Sequence, residues 1–263
     1  MEIFFEEFDV PALSMPKQAN LGVLGVGLLT GLVCEMGHGS TYITPVYEGF
    51  SLNFFTEWFD VSGNDVDDYM TKLLQEFYPT KFTSQKDIHI IRSIKEKFGY
   101  TCDSSGEFVK EVIENIHKIK NYELPDGEVI QFAGPGLKCP EIYFQPSFIG
   151  RDIEGLHKAV VRCIQKTNLE QRKLYYDSII LSGGSSCFDN IEKRLLNEIR
   201  EDVTHIAKPK IIAGSKINRK NNVWIGGATV CSLSTFDEAW ITKEEYEEFG
   251  TSVLEHKGYY DNN

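Results

Sequence analysis

Ser178-Ile179-Ile180-Leu181-Ser182-Gly183-Gly184-Ser185-Ser186-Cys187-Phe188-Asp189-Asn190 is the stretch whose reading decides the fold. It starts as a short apolar run bounded by Gly, the pattern of a buried strand. Beyond it Ile191, Leu195 and Ile199 recur four apart, which predicts a helix. Between the two, Gly183 and Gly184 let backbone pass close to a ligand with no Cβ in the way. The amides that open the next helix are expected to point into the same space, where they favour an anion. A strand, a Gly-Gly turn and a helix suggest a phosphate or nucleotide cradle. The same pattern also suits a plain strand-to-helix connection.

Composition narrows the classes. The 263 residues carry 27 basic and 39 acidic side chains, a formal charge of −12. That balance argues against nucleic acid held by phosphate contacts. Cys34, Cys102, Cys139, Cys163, Cys187 and Cys231 are scattered with no CxxC spacing, so buried reduced thiols are expected and no metal site. The first residues have neither a basic region nor an apolar core of a signal peptide, and no apolar run reaches membrane-spanning length. A cytoplasmic protein with no membrane partner is the expectation.

Outward from the central stretch, strands alternate with helices, which implies an α/β layer architecture. Residues 1–8 read as a short amphipathic helix with Ile3, Phe4, Phe5 and Phe8 apolar, and residues 18–29 as a helix running into a turn. Residues 31–35 and 41–46 read as a β-hairpin whose tip, Glu35-Met36-Gly37-His38-Gly39, has glycines where positive φ is expected. Val66, Met70, Leu73, Leu74 and Phe77 stripe one helix. Ser84-Gln85-Lys86-Asp87 reads as a capping box that opens a second helix, with Asp for Glu. Phe108, Val112 and Ile116 stripe a third, and Leu156, Val160 and Ile164 a fourth. Leu124-Pro125-Asp126-Gly127-Glu128 reads as a hairpin turn.

Asn222-Val223-Trp224-Ile225-Gly226-Gly227-Ala228 adds a second Gly-Gly motif. Together with Leu181-Ser182-Gly183-Gly184-Ser185-Ser186 it resembles the actin family. So do Pro45-Val46-Tyr47-Glu48-Gly49-Phe50, Tyr122-Glu123-Leu124-Pro125-Asp126-Gly127, Phe144-Gln145-Pro146-Ser147-Phe148 and Ser232-Leu233-Ser234-Thr235-Phe236. The resemblance runs in order along essentially the whole chain. It implies an α/β, actin-like ATPase fold of two ribonuclease-H-like lobes with adenine nucleotide, ATP or ADP with Mg²⁺, between them. By motif, residues 26–221 correspond to a complete second lobe, and residues 1–25 and 222–263 to parts of the first. The family's amino-terminal portion, with its first phosphate hairpin and subunit-gripping loop, has no counterpart in this reading. The apolar faces of residues 1–8 and 223–233 are then expected to lack a covering sheet.

The resemblance also assigns candidate residues. Gln18 matches the family's water-positioning Gln, and Glu35 stands for an Asp near the metal; these two are the catalytic candidates. His38 stands for a second Asp and Tyr42 for a His beside the lytic water, so the hairpin keeps only Gly37 and Gly39. An imidazole cannot replace a carboxylate towards Mg²⁺. Gly63, Asp65, Arg92, Lys95, Glu96, Gly183, Gly184, Phe188 and Lys220 match nucleotide-binding positions, with Asn64 for a basic residue. Read without the family, Arg92-Lys95-Glu96 is equally an exposed, charged helix face. Arg151 stands for an apolar residue in the family's cross-filament plug, where an unpaired buried cation would be costly.

Three functions compete: an actin-like cytoskeletal subunit with a degenerate nucleotide cleft and little hydrolysis, a non-catalytic actin-related interaction module, and a truncated fragment without a role of its own. Expected partners are actin, actin-binding proteins, or a complex that completes the first lobe.

Overall fold

The structure is a computed structural model and describes residues 1–114, 118–203, 207–238 and 240–256. A π-helical turn, Ile3–Glu7, leads into β1 (Ala12–Leu13) and α1 (Gln18–Leu24). Four strands follow, β2 (Gly31–Met36), β3 (Thr41–Tyr47), β4 (Phe50–Ser51) and β5 (Glu57–Phe59), then α2 (Gly63–Gln75), α3 (Ile88–Phe98) and α4 (Ser105–Glu114). A hairpin of β6 (Lys120–Glu123) and β7 (Val129–Phe132) precedes α5 (Pro135–Lys138), α6 (Leu156–Lys166) and α7 (Leu169–Asp177). The order closes with β8 (Ile179–Ser182), α8 (Ile191–Val203), β9 (Ile211–Ile212), α9 (Lys216–Cys231), β10 (Ile241–Thr242), α10 (Lys243–Phe249) and α11 (Val253–His256).

The principal sheet runs β4-β3-β2-β8-β9, with β5 also on β3. β2 and β3 are antiparallel, whereas β8 lies parallel to both β2 and β9. Leu32, Cys34, Met36, Ile179 and Leu181 face a large core with the apolar stripes of α2, α3, α6 and α8. Val33, Val46 and Ile180 face the other way and are covered by Val23 of α1. Burial on both faces is why β2 up to Cys34 and β8 up to Leu181 read as apolar runs. Removing any of these side chains to Ala would cost about 2–5 kcal/mol.

α9 crosses α1 at backbone contact. A Cβ on Gly226 would lie 1.9 Å from the Leu21 carbonyl oxygen, and Asn222 Nδ2 donates to the Gly22 carbonyl at 2.7 Å. The second Gly-Gly motif therefore serves helix packing here. The expected lobe boundaries fall just after α1 and inside α9. β1 pairs with β10, and Phe5, Ile241, Val253 and Leu254 share a small core.

Several expectations need correction. The amino-terminal helix is one turn and buries only Phe5, leaving Ile3, Phe4 and Phe8 exposed. Phe5 has its own cover, and α9 is covered on one side by α1, so neither face is wholly bare. Gly37 and Gly39 do not adopt positive φ. β2 runs on through Met36, and the tip closes by the Gly37 amide donating to the Ser40 carbonyl. Phe77 lies beyond α2 and is exposed. Asp87 does accept from the Ser84 amide, but a 3₁₀ turn, Gln85–Asp87, intervenes before α3. Ile116 lies outside the described residues. Cys34, Cys102, Cys139 and Cys163 are buried free thiols, whereas Cys187 is half-buried and Cys231 exposed. Among the described residues no helix is long and apolar enough to cross a membrane.

Candidate functional site

A cleft of about 670 Å³ opens where four segments meet. α3 contributes Arg92, Lys95 and Glu96, and the turn after β8 contributes Gly184, Ser185, Cys187 and Phe188. The start of α9 adds Lys216, Ile217 and Lys220, and the β2–β3 hairpin adds His38. The α3 residues do not form a merely exposed face, because Lys95 is buried.

Its floor is set by Asp67, fully buried on α2. Arg92 Nε donates to Asp67 Oδ2 at 2.8 Å, and Lys95 Nζ lies 2.5 Å from Oδ1. Arg92 Nη2 also sits 3.0 Å from His38 Nε2. Asp67 escaped the sequence reading. Its signal was present, since it lies three residues before Met70 and seven before Leu74, on the apolar stripe. A charge in that register needs a cation opposite it.

Gly183 and Gly184 have different tasks. Gly183 has φ +90°, and a Cβ there would lie 2.4 Å from the Met36 carbonyl oxygen. Gly184 has nothing within 4 Å of its Cβ position and leaves the cleft wall open. The expected helix amides are not beside them: a 3₁₀ turn, Gly184–Cys187, and a left-handed Asn190 intervene before α8 begins at Ile191. Phe188 is buried with its ring against Gly99, and it still edges the cleft.

The hairpin is clamped to α2. The Gly63 and Asn64 amides donate to the Gly37 and His38 carbonyls at 3.0 and 2.8 Å. A Cβ on Gly63 would lie 2.7 Å from Ser185 Oγ, so this Gly permits the close approach. Asp65 faces away from the cleft. Its Oδ2 accepts from the Ser62 amide and hydroxyl at 2.7 and 2.8 Å, and its Oδ1 takes Arg151 Nη2 at 2.5 Å. Arg151 also pairs with Asp60 at 3.3 Å, so the costly case of an unpaired cation at this position does not arise. Asp65, Asp60, Trp58 and Gly39 edge a second hollow of about 310 Å³.

Gln18 and Glu35 line a third hollow of about 170 Å³ with Tyr42, Thr44, Ser51 and Thr56, and no residue lines both it and the cleft. Burial pushes the Glu35 carboxyl up, against the opposing pull of Ser182 and Gln18 beside it. Ser51 Oγ and Glu35 Oε2 are both buried there without a hydrogen-bond partner among the described residues.

Residues 1–259 match the actin family. The chain belongs to the actin family. Its mixed sheet and surrounding helices are an α/β, actin-like arrangement. Of the binding residues expected from actin, Arg92, Lys95, Glu96, Gly184, Phe188 and Lys220 come together around one cleft. Gly63 and Gly183 lie behind its wall as spacers, Asp65 turns to Arg151, and Gly37 and Gly39 shape the hairpin.

The cleft suits an adenine nucleotide in volume and chemistry: apolar flanks at Phe188 and Ile217, cations, and an open glycine wall. It does not suit a divalent metal. Glu96 is the one carboxylate among its lining residues, and among the described residues no group of three His, Cys, Asp or Glu is placed to hold an ion.

Proposed function

We propose that this actin-family chain is an actin-like cytoskeletal protein whose cleft binds adenine nucleotide with little or no hydrolysis. The observation that carries the reading is the convergence of Arg92, Lys95, Glu96, Gly184, Phe188 and Lys220 from three distant segments on one 670 Å³ space. Glu96 and Lys220 are the charges available to a base and ribose, because Arg92 and Lys95 are drawn back onto Asp67. In this reading residues 26–221 form the complete second lobe.

Hydrolysis needs a water-positioning amide and charge stabilisation close to the terminal phosphate. Gln18 and Glu35 line a different hollow, burial pushes the Glu35 carboxyl up, and His38 and Tyr42 offer no anion. Losing one preorganised donor can slow such a reaction about a hundredfold or more.

Titration of the pure protein with a fluorescent ATP analogue tests the reading. Binding should weaken in Glu96→Ala and Lys220→Ala, and phosphate release should not exceed that of a boiled control. Tight binding indifferent to both substitutions would place the nucleotide elsewhere.

The second reading, an interaction module, is favoured by exposed aromatics. Phe50, Phe54 and Trp58 on the β4–β5 edge and Trp224 on α9 are all more than half exposed. Groups of this kind mark partner surfaces, here those of actin, an actin-binding protein, or a subunit that completes the first lobe.

A further inference from the structure

We infer that the cleft takes its nucleotide as the free anion, without a divalent metal ion. The inference rests on the nucleotide reading above and fixes the form of the ligand. A Mg²⁺ ion that accompanies a di- or triphosphate keeps an octahedral shell of oxygens, and protein carboxylates hold that shell in place. Apart from Glu96 on α3, the carboxylates near this cleft are engaged or lie outside it. Asp67 has one oxygen on Arg92 at 2.8 Å and the other against Lys95 at 2.5 Å. Glu35 lies outside the cleft lining and is buried. The hairpin tip, the segment that closes one end of the cleft, presents His38.

His38 is itself committed. Its Nε2 accepts from Arg92 Nη2 at 3.0 Å, so the ring proton is on Nδ1, which faces Asp67 Oδ2 at 3.8 Å. In that tautomer Nδ1 carries the proton and the Nε2 lone pair is taken up by Arg92.

Positive charge is supplied by amines instead. Lys216 is shared with Asp189 at 2.5 Å, and Lys220 has no carboxylate or carbonyl partner among the described residues. Arg92 and Lys95 are held by Asp67, so Lys220 and the shared Lys216 are the amines left for a phosphate, against the one lining carboxylate, Glu96. A polyphosphate finds its neutralising charges already in place, whereas a divalent ion entering with it meets like charge.

The test is calorimetric titration of the whole protein with ADP, once in EDTA and once in excess Mg²⁺. We expect the dissociation constant in EDTA to equal that in Mg²⁺ within about threefold, or to be lower. Lys220→Ala should weaken the EDTA value by about tenfold, as for loss of a charge-assisted contact, with an unchanged thermal melt. His38→Asp should make Mg²⁺ favourable. Tightening by Mg²⁺ of about tenfold or more in the unaltered protein would overturn the inference and leave the nucleotide reading standing. An EDTA affinity unmoved by Lys220→Ala would also overturn it. No binding in either buffer would remove both.

Discussion

Lys95 Nζ meets Asp67 Oδ1 at 2.5 Å beneath the cleft, where the Asp67 side chain has no solvent exposure and that of Lys95 about a tenth. The pair ties α3 to α2, and Arg92 on the next turn takes the other oxygen. An Asn at position 67 keeps the shape and removes the charge, leaving a buried ammonium uncompensated. Breaking one side of such a pair costs about 3–5 kcal/mol. Asp67→Asn should therefore lower the melting temperature by roughly 10 °C for a chain of this size. A scanning calorimetry midpoint within two degrees, roughly half a kcal/mol, would show that the pair contributes nothing.

A second buried pair gives a sharper comparison. Arg194 reaches Glu141 with two nitrogens at 3.0 and 2.7 Å, and its guanidinium carbon lies 4.4 Å from the centre of the Phe144 ring. Burial pushes the Glu141 carboxyl up more strongly than Arg194 pulls it down. Desolvating two charges offsets much of what their pairing gains, so the pair as a whole is a modest contributor. Arg194→Met alone should destabilise by about 3–5 kcal/mol, and adding Glu141→Leu should recover most of the loss. Denaturant melts of the three proteins decide it; a double variant no better than the single one would contradict the argument.

Glu35 predicts a pH dependence. Its folded-state pKa is raised by burial. Relative to the unfolded chain the group therefore favours folding below the unfolded pKa, and that contribution is lost as pH rises through the folded pKa. Glu35→Gln removes the titration and keeps the volume. The variant should match the parent in acid and become the more stable of the two as pH rises from the ordinary carboxylate range to the raised value, with the gap constant above it. Chemical denaturation at several pH values measures this. A stability difference that stays flat across the range would mean that Glu35 is not desolvated in solution.

Much of this arrangement was legible in the residues. The apolar runs of β2 and β8 and the stripes of α2, α6 and α8 are properties of local spacing, and burial enforces them. The chemistry was less legible where one residue's role depends on a partner distant in sequence. Asp65 was expected at the nucleotide, and its use depends on Arg151, 86 residues away. The partners of Arg151, Asp65 and Asp60, were hidden for the same reason. Lys95 matched a binding motif, yet only Asp67, 28 positions before it, shows that its charge is spent inside the protein. Gly226 read as part of a second glycine motif, and contact with Leu21 gives it a packing role.

The last prediction concerns assembly. Arg151 stands in the loop that the actin resemblance assigns to cross-filament packing, and it is tied to Asp65 and Asp60. Apolar docking there would have to desolvate that ion network, a cost that surface pairs rarely repay. Elsewhere Phe50, Phe54 and Trp58 share the β4–β5 edge, and Trp224 stands apart on α9. Phe54 and Trp224, exposed by 88% and 74%, stand on different elements, the turn before β5 and the middle of α9. Separate sticky points favour irregular association over a repeating contact. Under polymerising salt the pure chain should therefore give no regular double-stranded filaments, and sedimentation should show concentration-dependent association. Phe54→Ser with Trp224→Ser should reduce that association while changing stability by no more than about 0.5 kcal/mol per site. Electron microscopy settles the first half, since ordered filaments from the pure chain would refute it. Undiminished sedimentation of the double variant would move the association surface away from both aromatics.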